Sequence, residues 1–167
     1  KRDARIPLLQ QENAGSAAAR NNGIRNANGQ YIALLDSDDL WDAEFLEEQV
    51  AFMKEKNAVV VHCSYRCIDE EGKEILAPAY CAPVTTYKDM VLYNRIGCLS
   101  GLYDTKKYGK IYLREELKSL RDDYAYWLDI VKLEGKAYGN QKILASYRVF
   151  ASSIASKRKS FLNTTKV

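Results

Sequence analysis

Histidine is almost missing from this chain, and cysteine is too sparse and too irregularly spaced to replace it as a metal ligand. One His and four Cys occur in 167 residues. Cys63, Cys67, Cys81 and Cys98 show none of the paired C-x-x-C spacings of a zinc site. A disulfide framework would need more cysteine, so four reduced thiols fit a cytosolic protein. His62 lies inside the apolar run Val59 to Cys63 and reads as a strand residue, because a ligand His needs partners converging on it. No run approaches the roughly 18–20 apolar residues of a membrane span, and no signal peptide is visible. Charge of one sign is also scarce. A net charge of +3 with scattered basic residues gives no footprint for nucleic acid. The single basic cluster, Lys157-Arg158-Lys159, sits in a Ser- and Thr-bearing tail. It reads either as a solvated end or as a contact for a diphosphate or an anionic membrane surface. At 47% hydrophobic and 28% charged, 19.0 kDa of chain suits one globular unit with a sizeable core.

What is present is concentrated in Tyr31 to Trp41, YIALLDSDDLW. An apolar strand-like run ends in three carboxylates, Asp36, Asp38 and Asp39, within four positions. Such charges repel by up to about 4 kcal/mol per pair at 4 Å and an effective dielectric of 20. A cation or a proton normally holds them together. In open α/β sheets, ligands bind beyond the carboxyl ends of strands, where this cluster falls. The alternative is that Asp38 or Asp39 simply caps the following helix.

The preceding segment, NAGSAAARNNGI at 13–24, reads as a helix start rich in small residues, with Arg20 one turn in. Unpaired N–H groups beside an arginine suit a phosphate, although small-residue helices also arise from tight packing on a sheet. The periodicity predicts a strand at Ile6 to Gln11, a helix over Gly15 to Ala27 and a turn at Asn28-Gly29. A buried strand over Tyr31 to Leu35 and a helix over Trp41 to Lys56 follow. A strand over Ala58 to Ile68 then turns at Glu71-Gly72-Lys73 into a hairpin. This alternation implies an α/β fold with a parallel sheet covered by helices.

From Leu76 to Leu120 the pattern loosens around Pro78, Pro83 and the tyrosines 80, 87, 93, 103, 108 and 112. Exposed aromatics suit sugar faces, while most tyrosines in any domain are packing residues. Cys98 to Tyr103 reads as a strand whose Ser100-Gly101 lets a ligand approach the backbone. Asp122-Asp123 heads a helix whose apolar face is Tyr124, Trp127, Leu128 and Val131, with Gly135 as its stop. The pair either complements the helix dipole or carries chemistry.

Residues 13–41, NAGSAAARNNGIRNANGQYIALLDSDDLW, closely resemble the central signature of glycosyltransferase family two. That signature is an N-x-G-x-x-x-A-R-N-x-G segment, then A-x-G, a strand, and D-x-D-D-x-W. Arg121-Asp122-Asp123-Tyr124 through Leu128 resembles the family's E-D-Y-x-x-W-L element, and Tyr147-Arg148-Val149 followed by Ser152 and Ser153 its closing strand and tail. The resemblance covers nearly the whole chain. It implies a GT-A fold, α/β and Rossmann-like, with a mostly parallel sheet. It implies a single catalytic domain, with residues 1–76 binding donor and metal, 77–155 binding acceptor and holding the base, and 156–167 as a tail.

The resemblance further implies inverting transfer from a nucleoside diphosphate sugar, a UDP-sugar first, to a saccharide or lipid-linked acceptor in cell-surface polysaccharide synthesis. Mn²⁺ or Mg²⁺ would be held by Asp38, with Asp36 turned to the ribose or the cation. Arg20 would contact the diphosphate, and Asp123 would be the general base. No nucleic acid is involved, and the expected place is the cytoplasm or the inner face of the membrane. Two departures stand out. The chain starts at what resembles the approach to the third strand, so the base-binding unit is expected to lie upstream, this fragment to be inactive alone, and an exposed sheet edge to favour association. Phe150 stands where many relatives carry His, so no role of that His carries over. Two rivals remain. One is a haloacid-dehalogenase-like phosphatase using Asp36 and Asp38, disfavoured by Leu40 where Thr or Val is expected. The other is a truncated binding fragment without catalysis.

Overall fold

A computed structural model of the chain describes residues 5–117 and 121–150. Helix α1 (Ser16–Asn26) leads through a turn into strand β1 (Tyr31–Ala33), then the short β2 (Leu40–Trp41) and helix α2 (Phe45–Glu55). Strands β3 (Val60–Ile68), β4 (Glu74–Ala79) and β5 (Val84–Thr86) precede helix α3 (Tyr87–Leu92). Strand β6 (Gly101–Asp104), helix α4 (Asp122–Glu134) and the long β7 (Lys136–Arg148) complete the described chain.

Local signals explain most of these boundaries. Gly15 at φ 89° opens α1, and Gly135 at φ 86° ends α4 in the left-handed conformation that an L side chain resists. Thr86 and Asp89 close a reciprocal capping box on α3. The hairpin expected at Glu71-Gly72-Lys73 joins β3 to β4, with Asp69 Oδ1 accepting from the Glu71 and Lys73 N–H groups.

The sheet runs β1-β6-β3-β7-β2, with β4 also on β3 and β5 also on β7. Strand β3 shares one edge between β6 at its start and β4 at its end, and gives the other to β7. Helices flank this mixed sheet, so the α/β layering is as expected, but the strand directions are not those of alternating β-α-β units. Only β3 with β7 is parallel; the other described pairings are antiparallel. For β4 the reason is the tight turn after β3, which can only return the chain antiparallel; β5 and β6 meet their partners from distant parts of the chain.

Four further expectations are corrected. Ile6 to Gln11 forms no strand; Ile6, Leu8 and Leu9 are exposed, and no described strand pairs with them. Trp41 belongs to β2, paired to Ala145, so α2 starts at Phe45. Gly101 admits no ligand. A Cβ there would lie 2.4 Å from the Trp127 ring, so the glycine makes room for the largest fully buried side chain of the core. Cys98 to Ser100, expected to begin that strand, is a 3₁₀ turn. The tail expectations at Ser152, Ser153 and Lys157 to Lys159 lie outside the described residues.

The core gathers Tyr126, Trp127, Ile130 and Val131 of α4 with Val60, Met90, Ile96 and Tyr103. His62 is a buried strand residue, as expected, with Nε2 3.2 Å from Thr85 Oγ1 and Nδ1 without a partner among the described residues. Burial pushes its pKa down to about 4 from 6.5. Below pH 6.5 the unfolded chain binds this proton and the folded chain does not, so stability falls as pH drops toward 4. We expect urea titrations to show about 2 kcal/mol less stability at pH 5 than at pH 8 from this group. The measure is the part of the pH dependence that disappears in His62→Gln. Equal slopes in both proteins would refute it.

Candidate active site

The site lies where α1, the loop after β1, the head of α4 and the end of β7 meet. Ser16 and Arg20 are four residues apart on α1 and therefore share a face. Both reach Asp122 of α4: Ser16 Oγ donates to Oδ2 at 3.0 Å and Arg20 Nη1 donates to the same oxygen at 2.6 Å. The second nitrogen of the fork, Nη2, donates to Asp36 Oδ1 at 2.5 Å. Arg20 thus ties the acidic loop to the acidic helix head across 102 residues of sequence. Side-chain exposures of 16% for Arg20 and 5% for Asp122 mark this as a sheltered ion pair, while Asp36, at 39%, opens to solvent.

The three carboxylates of the acidic loop have separate tasks. The Asp39 N–H donates to the Asp36 carbonyl at 3.1 Å, forming a tight turn. Asp39 is buried under the end of β7, where its Oδ1 accepts the Arg148 N–H at 2.9 Å. Burial, aided by Asp38 and Asp36, raises its pKa to about 6. Asp39 therefore anchors the loop rather than capping a helix. Asp38 is exposed, and its carboxylate has no hydrogen-bond partner among the described residues.

Arg148 is the part that sequence reasoning missed. Its Nε donates to the Asp38 carbonyl at 2.9 Å, and its Nη1 donates to the carbonyls of Asp69 and Glu70. It straps the acidic loop to the β3–β4 hairpin. The sequence offered only a Tyr-Arg-Val string, with no spacing to announce partners about 80 and 110 residues away.

The adjacent aspartates at the head of α4 divide in the same way. Asp122 is consumed by Arg20 and Ser16. Asp123 is half-buried and lines an open concavity of about 290 Å³ with Val91, Leu92, Tyr93, Asn94, Arg121 and Tyr124. Burial raises its pKa; the Tyr124 N–H and Arg20 work against this, and Asp122 and Asp36 add to it. A carboxyl of raised basicity, open to a concavity, can accept a proton.

The oxygen donors can be tested against a divalent cation. Among the described residues no three His, Cys, Asp or Glu side chains converge to hold a metal. The exposed Asp38 carboxylate is free to bind, whereas Asp36 already shares an oxygen with Arg20. This set fits a hard ion such as Mg²⁺, which keeps water and phosphate oxygens and needs only one or two carboxylates.

Comparison with known proteins identifies the architecture. Residues 2–144 match the family described as Glycosyl transferase family 2. The chain belongs to that family. TuaG of Bacillus subtilis (strain 168), a glycosyltransferase assigned to teichuronic acid biosynthesis, is 35% identical over 159 residues, covering 95% of this chain. WfgD of Escherichia coli, a UDP-Glc:alpha-D-GlcNAc-diphosphoundecaprenol beta-1,3-glucosyltransferase, is 34% identical over 159 residues, covering 93% of this chain. The chain spans 62% of the length of TuaG and 60% of WfgD. Among solved structures, S. aureus TarS 1-349 in complex with UDP shares the fold at a TM-score of 0.63 and 21% identity, over 83% of this chain and 41% of that one. Family membership removes the phosphatase alternative. In the structure the two acidic segments, at Asp36 and at Asp122, meet through Arg20. No helix among the described residues is long and apolar enough to cross a membrane.

Proposed function

We propose that this domain is the part of a family 2 glycosyltransferase that transfers a sugar from a nucleoside diphosphate sugar, a UDP-sugar first, with inversion. The observation that carries the reading is the division of labour around Arg20. An open acidic loop lies on one side, and a carboxyl of raised basicity facing a concavity lies on the other. The match to family 2 supports transfer, and the UDP in TarS and UDP-Glc in the name of WfgD support the donor class. The acceptor is a saccharide or a lipid-linked glycan of a cell-surface polysaccharide, in line with the names of TuaG and WfgD. A lipid-linked acceptor would bring a cytoplasmic protein to the inner membrane face as a peripheral partner.

In this reading Asp123 accepts the proton of the acceptor hydroxyl, which is a poor nucleophile until a positioned base takes it. Asp122 holds Arg20 in place without touching substrate. The guanidinium of Arg20, sharing itself between Asp36 and Asp122, offers positive charge to a diphosphate that competes with Asp36 for it. Asp38, with Asp36 beside it, would hold Mn²⁺ or Mg²⁺. Such an ion neutralises charge on a departing diphosphate.

The test is thermal stability of the full-length protein. Millimolar Mn²⁺ with UDP is expected to raise Tm by on the order of 5 °C, since ligand bound only to the folded state stabilises by RT ln(1 + [L]/Kd). Asp38→Ala should abolish the shift while leaving the ligand-free Tm unchanged, because its side chain is exposed and has no partner among the described residues. An unchanged Tm in the wild-type protein would count against the donor site.

A further inference from the structure

The Arg148 side chain reaches three oxygens, and all three are main-chain carbonyls. Nε donates to Asp38, and Nη1 donates to Asp69 at 2.7 Å and to Glu70 at 3.0 Å. Its own N–H donates to Asp39 Oδ1 at 2.9 Å, so one residue grips two consecutive positions of the acidic loop. The far end of the grip is a stiff turn. Asp69 Oδ1 accepts from the Glu71 and Lys73 N–H groups, and main-chain bonds run from Asp69 N–H to the Lys73 carbonyl and from Gly72 N–H to the Asp69 carbonyl. Strand register makes the same link, because Arg148 lies beside Ile68 in the parallel β3–β7 pair and the Val149 N–H donates to the Ile68 carbonyl. An arginine this close to clustered carboxylates would ordinarily pair with one of them. Among the described residues Arg148 forms no ion pair, and the Asp38 carboxylate stays exposed and uncommitted.

We infer that Arg148 is a positioning residue for the cation site: it ties the backbone of Asp38 to the β3–β4 hairpin and so aims the Asp38 carboxylate without neutralising it. This rests on the reading of Asp38 as a cation ligand given above. A carboxylate on a loose loop loses conformational freedom when it takes an ion, and a loop fixed beforehand does not. The planar guanidinium presents its donors in a rigid fork, so it sets the distance between two loops in a way that a flexible ammonium cannot. The sign of the effect separates this role from electrostatics. A positive charge beside Asp38 repels a divalent cation, so by charge alone the loss of Arg148 would tighten cation binding. Positioning demands the opposite, a weaker site once the strap is gone.

The experiment measures Mn²⁺ binding to the full-length protein through the paramagnetic resonance signal of free Mn²⁺, and UDP binding calorimetrically in EDTA. Arg148→Gln is expected to weaken Mn²⁺ binding by about 10–100-fold, the usual cost of removing a hydrogen-bonding support behind a metal ligand. Metal-free UDP binding should be unchanged. Arg148→Lys keeps the charge and should recover little of the loss. Asp69→Ala touches neither Asp38 nor the Arg148 side chain, yet by loosening the turn it should weaken Mn²⁺ severalfold. Asp69→Asn, which keeps the accepting oxygen and drops the charge, should not. Unchanged or tighter Mn²⁺ binding in a folded Arg148→Gln would overturn the inference, and so would full recovery by Arg148→Lys. Weaker UDP binding in EDTA would also overturn it, by making Arg148 a phosphate contact. Where Arg148→Gln does not fold, the Asp69 variants decide, and wild-type Mn²⁺ affinity in Asp69→Ala sinks the idea. Asp38→Ala measured in parallel keeps the two readings apart. If Asp38→Ala loses Mn²⁺ and Arg148→Gln does not, the donor-site reading stands and this inference falls; a wild-type protein that binds no Mn²⁺ removes both.

Discussion

Asp123→Asn in the full-length protein is expected to lose turnover by about 10²–10⁴-fold, the usual cost of removing a general base, with donor affinity nearly intact. Asp123 is the member of its pair that faces open space, whereas Asp122 has both its position and its charge committed to Arg20 and Ser16. The amide keeps the shape of the side chain, so a loss confined to kcat identifies proton transfer rather than packing. Burial raises the Asp123 pKa, so the acid limb of kcat/KM should lie above the ordinary aspartate value of about 3.9. Activity then falls as pH drops through that raised pKa, because the protonated carboxyl can no longer accept a proton. The residual activity of the variant should lack this limb. Had Asp122→Asn been the crippling change and Asp123→Asn the mild one, the base would have to be reassigned by one residue.

Arg20→Met is expected to destabilise the fold by about 3–5 kcal/mol, the range for removing one partner of a buried ion pair. Most of that cost should come from Asp122, left charged and nearly inaccessible to water, and little from the more exposed Asp36. Arg20→Lys should recover only part of it. A single ammonium cannot reproduce a fork whose two nitrogens serve carboxylates on different elements. Urea unfolding of Arg20→Met, Asp122→Asn and the double variant closes a cycle. The double variant should be more stable than the sum of the single losses predicts, since neither retains a buried charge without a partner. Strict additivity would show that the bridge does not couple α1 to α4.

The bridge also separates what could be read from the sequence from what could not. The helix at 15–27, the turn at Asn28-Gly29, the hairpin at Glu71-Gly72-Lys73 and the stop at Gly135 were all legible. Each depends on capping, turn geometry or periodicity acting within a few residues. The acidic loop was equally visible, because an apolar strand ending in clustered carboxylates is a local anomaly. The family itself was legible in one gapless stretch, 13–41.

Tertiary structure alone decided the rest. Ile6 to Gln11 has strand composition but no described partner strand, and a strand without a ladder is not a strand. The sheet directions follow from which edges of β3 and β7 remain open to β4, β5 and β6, a choice made between segments distant in sequence. The same holds for the aspartates. By residue type and spacing Asp122 and Asp123 are equivalent neighbours, and so are Asp38 and Asp39; only the family resemblance singled out Asp123 and Asp38. A helical step of 100° per residue turns Asp122 toward Arg20 and Asp123 toward the concavity. A tight turn sends Asp39 under Arg148 and leaves Asp38 in solvent. The residue types at the site were therefore written in the chain, but their burial and partners came from packing, because these are set by elements roughly a hundred residues away.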